Sequence, residues 1–218
     1  MSKPPLPLPR LPPRGLYAIT DGPRDGLLAG ARAVLEGGAA ILQYRDKTRA
    51  AKRRLREARA LAAICHAAGA PLIVNDDLEL ASACGATGVH LGEDDAAIAD
   101  ARAALGAAAI IGVSCYDSLQ RARDAASAGA DYLAFGAFFP TSTKAVTRRA
   151  TPGLLREARQ FALPLVAIGG ITPDNGRALV TAGADFLAVV SALFAARDVH
   201  AQARRFTALF ETPSQDPT

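Results

Sequence analysis

Eight short apolar runs punctuate the chain: Leu16 to Thr20, Ala40 to Tyr44, Leu72 to Asn75, Gly88 to Leu91, Ile110 to Ser114, Tyr132 to Phe138, Leu165 to Ile168 and Phe186 to Val190. They are nearly continuous in hydrophobicity rather than alternating, the pattern of parallel strands covered on both faces. Between them lie Ala-, Arg- and Leu-rich stretches such as Arg53 to Ala67 and Ser118 to Ala128. In the first, Leu55, Ala58, Arg59, Ala62 and Cys65 recur at helical spacing on one side. A Gly-Ala pair recurs between helix pattern and strand run, at Gly38, Gly69, Gly85, Gly129 and Gly183. A glycine just past a helix end takes the left-handed conformation without steric cost and turns the chain. Successive runs start roughly 16 to 33 residues apart, the repeat length of a βα unit. Eight units predict an α/β protein, a single (β/α)8 TIM barrel. The structural alternative, an open doubly wound sheet, needs a switch point, and no Gly-x-Gly-x-x-Gly follows the first run.

Composition narrows the class. Of 218 residues, half are hydrophobic and 21% are charged, so a sizeable core can be buried and general disorder is excluded. No apolar run reaches the ~18 residues that span a bilayer, which argues against a membrane partner. The net charge is +4, and Lys3, Arg10 and Arg14 supply most of it, so the high pI carries little argument for nucleic acid. Cys65, Cys84 and Cys115 form no close pair, as in a reduced, cytoplasmic protein. Residues 1–14 carry six prolines and no continuous apolar segment, and read as a disordered, proline-stiffened tail rather than a secretion signal. The expected organisation is that tail, a barrel over residues 15–211, and a flexible tail over 212–218.

The candidate chemistry lies where polar residues follow the apolar runs, because a barrel of this kind builds its active site at the C-terminal ends of its strands. Gln43, Tyr44, Arg45, Asp46 and Lys47 follow the second run. Alternation puts Gln43, Arg45 and Lys47 on one face, as an anion site or as a solvated strand end. Asn75, Asp76 and Asp77 follow the third run; His90 closes the fourth, with Glu93, Asp94 and Asp95 beyond it. Carboxylates at adjacent strand ends can share Mg²⁺, whose remaining positions go to water and phosphate oxygens; Asp77 and Asp94 also suit helix caps. His90 lacks a second His or Cys at ligand spacing and reads as a satisfied inward-pointing side chain. Ser114 and Cys115 follow the fifth run without a His-Asp partnership, so neither reads as a hydrolytic nucleophile. Thr141, Ser142, Thr143 and Lys144 follow the sixth run as a phosphate grip that is not a P-loop. Gly169 and Gly170 follow the seventh, Thr172 caps a helix with Pro173 at its first position, and Val190 and Ser191 close the eighth. Loops seven and eight are the usual phosphate site of a barrel, formed by backbone N–H groups. Two anion sites facing each other suit one diphosphate and one monophosphate substrate.

In combination these segments resemble the thiamine phosphate synthase (thiamine-phosphate pyrophosphorylase) family over about residues 15 to 195. Leu16 to Asp21 is similar to that family's opening strand. The resemblance implies a pyrimidine-diphosphate site at Gln43, Tyr44, Arg45, Asp46, Lys47, Asn75, Ser114 and Lys144. It implies a thiazole-phosphate site at Thr141, Ser142, Thr143, Gly170, Val190 and Ser191, and Mg²⁺ on Asp76 and Asp95. Glu93 stands where the family commonly has Gln, and the stretch Ala145 to Ala150, with Arg148 and Arg149, is assigned nothing specific.

The implied reaction joins 4-amino-5-hydroxymethyl-2-methylpyrimidine diphosphate to 4-methyl-5-(2-phosphoethyl)thiazole, or its carboxylated form, giving thiamine phosphate and diphosphate. The aminopyrimidine can expel the diphosphate first, and the unprotonated thiazole nitrogen then captures the cation without a general base. Stabilising the leaving group falls to Mg²⁺ with Arg45, Lys47 and Lys144. Two alternatives are a thiazole tautomerase of the same family, which has no need of the magnesium carboxylates or the cations, and a non-catalytic binder of phosphate ligands.

Overall fold

The computed structural model describes residues 10–93, 97–140 and 148–211. Among these, eight strands form a closed barrel: β1 (Gly15–Ile19), β2 (Ile41–Tyr44), β3 (Leu72–Asn75), β4 (Gly88–Leu91), β5 (Ile110–Tyr116), β6 (Tyr132–Gly136), β7 (Leu165–Ile168) and β8 (Phe186–Val189). Every neighbouring pair is parallel, and β1 pairs with β8 to complete the ring. The helices are α1 (Leu27–Glu36), α2 (Ala51–Ala67), α3 (Leu78–Cys84), α4 (Ile98–Leu105), α5 (Leu119–Ser127), α6 (Pro152–Ala158), α7 (Pro173–Thr181), the four-residue α8 (Ser191–Phe194) and α9 (Val199–Thr207). The expected (β/α)8 barrel is therefore the observed one. No described helix is long and apolar enough to cross a membrane.

Strand boundaries differ mainly at β5 and β6. β5 continues past Ser114 to Tyr116 through a register shift against β6, and Tyr116 takes φ 55°. β6 ends at Gly136, before Phe138, where the chain leaves the ladder. The buried face of α2 is also rotated from the expected stripe. Ala58, Leu61, Ile64 and Cys65 are buried, whereas Arg59 is exposed. The larger side chains of Leu61 and Ile64 win the sheet-facing positions, and the Arg59 Nε donates to the Ala83 carbonyl at 3.3 Å.

Parallel strands covered by helices bury both faces, and the core divides accordingly. An outer layer between sheet and helices includes Leu42, Val74, Leu133, Leu165 and Leu187. An inner cluster fills the barrel with Tyr17, Ile41, Ile73, Ile110, Tyr132, Val166 and Phe186. Leu11, ahead of β1, packs against that inner cluster, and the Arg14 guanidinium lies 5.4 Å from the Phe210 ring centre. The helix-to-strand glycines behave as their positions predict. Gly85, for example, ends α3 at φ 69° and donates to the Ala81 carbonyl.

One interior glycine sets the shape of the site. Gly112 of β5 pairs with Tyr132 of β6 and with His90 of β4, and a Cβ there would overlap the Tyr132 ring. The missing side chain lets Tyr132 lie across the barrel interior at 0% exposure. Gly112→Ala should therefore destabilise the protein by about 1–3 kcal/mol, since overpacking forces ring and backbone apart. Urea unfolding should show the lower midpoint, and a midpoint equal to wild type would mean that the barrel accommodates the methyl group.

Candidate active site

The C-terminal ends of the strands open into a cavity of about 870 Å³. β2 contributes Gln43, and the chain just beyond it contributes Arg45 and Lys47. Strand alternation puts these three into the cavity and turns Tyr44 and Asp46 away from it. Those two, both expected in the pyrimidine-diphosphate segment, are absent from the cavity wall and bonded to α2. The Tyr44 hydroxyl donates to Glu57 Oε2 at 2.7 Å. Asp46 accepts from the Thr48 N–H at 2.8 Å and from Arg53 Nη2 at 2.7 Å. This cluster braces the segment that carries Arg45 and Lys47.

β3 brings Asn75 and Asp76 to the same cavity. Asp76 sits at φ 64°, a strained conformation for a residue with a Cβ. Its N–H donates to the His90 carbonyl at 2.9 Å, and its carboxylate pairs with Lys47. Asp77 points elsewhere: it caps α3 by accepting from the Leu80 N–H at 2.9 Å and pairs with Arg54 at 2.8 Å. Of its two expected roles the cap is realised. Asp94 and Asp95 lie outside the described residues, as do Thr141, Ser142, Thr143 and Lys144.

β4 and β5 supply His90 and Ser114. His90 Nε2 is 2.8 Å from Ser114 Oγ, and its Nδ1 is 3.0 Å from the Tyr132 hydroxyl. Both ring nitrogens are thus engaged, as the reading of a satisfied inward histidine predicts. Cys115, between Ser114 and Tyr116, is buried behind the strand, and burial pushes its thiol up to about 12. Cys65 is raised in the same way. Neither is a thiolate near neutral pH, so neither serves as a nucleophile.

The opposite wall is mostly backbone. Gly169 (φ 102°) and Gly170 (φ 65°) carry the chain past the end of β7 in a conformation that a Cβ would oppose, and Gly170 lies against Phe139 and Pro140. Thr172 then begins α7 with Pro173 at its first position, and its N–H donates to Asn175 Oδ1 at 2.8 Å. Val190 and Ser191, at the end of β8, line the cavity beside them. Cations, carboxylate, hydroxyls and glycine backbone from the ends of β2, β3, β5, β7 and β8 therefore share one space.

Several residues here had no sequence-level assignment. Arg121 of α5 donates from Nε to the Ser114 carbonyl at 2.6 Å and from Nη2 to the Gly92 carbonyl at 2.8 Å, tying the ends of β4 and β5 together. Arg148, in the segment after β6, pairs with Glu93 at 3.2 Å, and its guanidinium lies 5.0 Å from the Tyr116 ring centre at the end of the intervening β5. Tyr17 and Tyr132 join His90 in a buried polar chain. One signal was available: all four tyrosines of this aromatic-poor chain lie on barrel strands, where each hydroxyl needs a partner.

The donors near Asp76 fit a hard cation. The described residues hold no cluster of three metal-ligating side chains, but Mg²⁺ characteristically takes only one or two protein carboxylates. Among the described residues, Asp76 and Glu93 line the cavity and no Cys or Met does.

Fold and site together define a (β/α)8 barrel with a polar, charge-lined cavity at the C-terminal mouth of its strands. A family model described as thiamine monophosphate synthase matches residues 16–193. A thiamine-phosphate synthase of Xanthomonas campestris pv. campestris (strain 8004) is 58% identical over 198 residues, 90% of this chain and 96% of the relative. One from Methylobacillus flagellatus is 53% identical over 203 residues, 92% of this chain and 97% of its own. Among solved structures, a thiamine phosphate pyrophosphorylase from Pyrococcus furiosus superposes with a TM-score of 0.81 at 34% identity, covering 89% of this chain and 94% of that one. The chain belongs to the thiamine monophosphate synthase family and is an enzyme, a transferase of thiamine biosynthesis.

The brace behind β2 gives a pH-dependent expectation. Burial raises the Asp46 pKa, but the Thr48 hydrogen bonds and the Arg53 guanidinium outweigh it and hold the carboxyl below its ordinary 3.8. A lowered folded-state pKa stabilises the fold fully above the ordinary value, and that stabilisation is lost as pH falls through the folded-state value. Asp46→Asn should cost about 2 kcal/mol at neutral pH, and its deficit should vanish in strong acid. Thermal melting across that range checks both ends, and a deficit independent of pH would rule out the charged brace.

Proposed function

We propose that the protein condenses 4-amino-5-hydroxymethyl-2-methylpyrimidine diphosphate with 4-methyl-5-(2-phosphoethyl)thiazole, or its carboxylated form with loss of CO₂. The products are thiamine phosphate and diphosphate. The observation that carries this reading is the shared cavity: Arg45, Lys47 and Asp76 on one wall, Gly170 and Ser191 on the other. A diphosphate suits the first wall and a monophosphate the second.

In this reading Gln43 and Asn75 orient the aminopyrimidine. Arg45 and Lys47, with Lys144 from the segment after β6, neutralise charge that builds on the departing diphosphate as its C–O bond breaks. The Ser114 hydroxyl contacts the same anion. Gly170, Val190 and Ser191, with Thr141, Ser142 and Thr143, hold the thiazole phosphate so that its ring nitrogen faces the pyrimidine methylene. That nitrogen carries no proton to remove, so its attack needs no general base. Asp76, with Asp95, would hold Mg²⁺, which supplies further charge neutralisation to a bound diphosphate. A tautomerase has no use for Arg45 and Lys47, so their presence in the cavity favours the synthase.

Asp76→Ala and Lys144→Ala should each lower turnover about a hundredfold while the thermal melt stays near wild type. Formation of thiamine phosphate and release of diphosphate, measured together, check this; rates near wild type would refute the assigned roles. Glu93→Gln should have a milder effect. Arg148 loses its ion-pair partner and a carboxylate lining the cavity is removed, so the Mg²⁺ concentration for half-maximal rate should shift. An unchanged Mg²⁺ titration would make Glu93 neutral in this respect.

A further inference from the structure

We propose that His90 is a positioning residue: a one-way hydrogen-bond chain from Gln43 through Tyr17 and Tyr132 puts its imidazole proton on Nε2, and so turns the O–H of Ser114 toward the substrate's diphosphate. The inference rests on the reading of this cavity as the diphosphate site.

The chain crosses the barrel interior. Gln43 Nε2 donates to the Tyr17 hydroxyl at 2.7 Å. The Tyr17 and Tyr132 oxygens are 2.7 Å apart, Tyr132 is 3.0 Å from His90 Nδ1, and His90 Nε2 is 2.8 Å from Ser114 Oγ. Gln43, Tyr17 and Tyr132 are 2%, 1% and 0% exposed. Each phenol has a single proton to give, and burial disfavours its ionisation.

Direction follows from the first link. An amide N–H₂ can only donate, so the Tyr17 oxygen accepts from Gln43 and sends its proton to Tyr132. Tyr132 accepts there and sends its own proton to His90 Nδ1. A neutral imidazole that accepts at Nδ1 carries its N–H at Nε2, and this N–H donates to Ser114. The opposite polarity would leave the buried Tyr17 hydroxyl facing two donors with its own proton unplaced, a costly arrangement. The ring is also held from the side: His90 stacks on Tyr132 with centres 5.7 Å apart and planes at 18°.

The consequence reaches the cavity through Ser114. With one lone pair engaged by His90, Ser114 keeps its proton for a cavity-side acceptor. In the opposite polarity that proton would be spent on His90, and lone pairs would face an anionic substrate. The tautomer thus decides whether Ser114 attracts or repels a diphosphate.

Nitrogen NMR of the full chain labelled at histidine provides the test. The chain has only three histidines, His66, His90 and His200, and the spectrum of His90→Gln assigns the His90 signals. The proposal expects the proton on Nε2; a proton on Nδ1 overturns it. Kinetics supply a second reading. Tyr132→Phe should lower kcat/KM about tenfold in the wild-type background and cause no further loss in Ser114→Ala. Independent, multiplying losses would overturn the link to Ser114. Should Tyr132→Phe fail to fold, the wild-type tautomer still decides the proton's place. A wild-type protein without synthase turnover would refute the function proposed above and the substrate half of this inference, while the NMR result would still judge the hydrogen-bond chain.

Discussion

Eight parallel strands close on themselves, and closure forces alternate side chains of every strand into one shared interior. Interior positions low in the barrel fill with Ile, Val and Phe. Toward the C-terminal ends the same alternation carries Gln43, His90 and Ser114 inward, and just past the strands it carries Arg45, Lys47 and Asp76. Residues one position out of phase meet a different fate. Tyr44, Asp46 and Cys115 turn toward the helices, where they brace or fill but do not line the cavity. The division between chemistry and support along β2 and β5 is thus one of strand parity.

The interior of this barrel is polar along one path. Gly112 leaves space, Tyr132 occupies it, and the tyrosine hydroxyl joins the β1 and β2 side to His90 and Ser114. A buried polar chain of this kind is costly if any member is unsatisfied, and each member here has a partner at hydrogen-bond distance. It ends at a hydroxyl that lines the cavity. Packing in the barrel interior and hydrogen bonding at the cavity wall are therefore coupled through one glycine and two tyrosines.

The family relationship and the cavity bear on different levels of the description. Similarity over nine-tenths of the chain establishes a thiamine-phosphate synthase lineage and a transferase. The roles of individual residues rest on where their side chains lie. Glu93 illustrates the difference: beside Asp94 and Asp95 in sequence, it reads as surplus negative charge. In space it is matched by Arg148, from the segment after β6.

What the sequence by itself determined is the repeating architecture and the loops that carry the chemistry. Strand-length apolar runs, positive-φ glycines after helices and polar clusters after each run are local signals, written within a few residues of one another. Hence β3, β4 and β7 match their predicted limits, and Gln43, Arg45 and Lys47 share the predicted face. Tertiary structure alone decided the rest. The Tyr17–Tyr132 contact spans 115 positions, and Arg121 and Arg148 act on a carbonyl and a carboxylate from other βα units. No local pattern encodes such pairs, because a hydroxyl or guanidinium finds its partner only once barrel closure has set the distance between strands far apart in the chain.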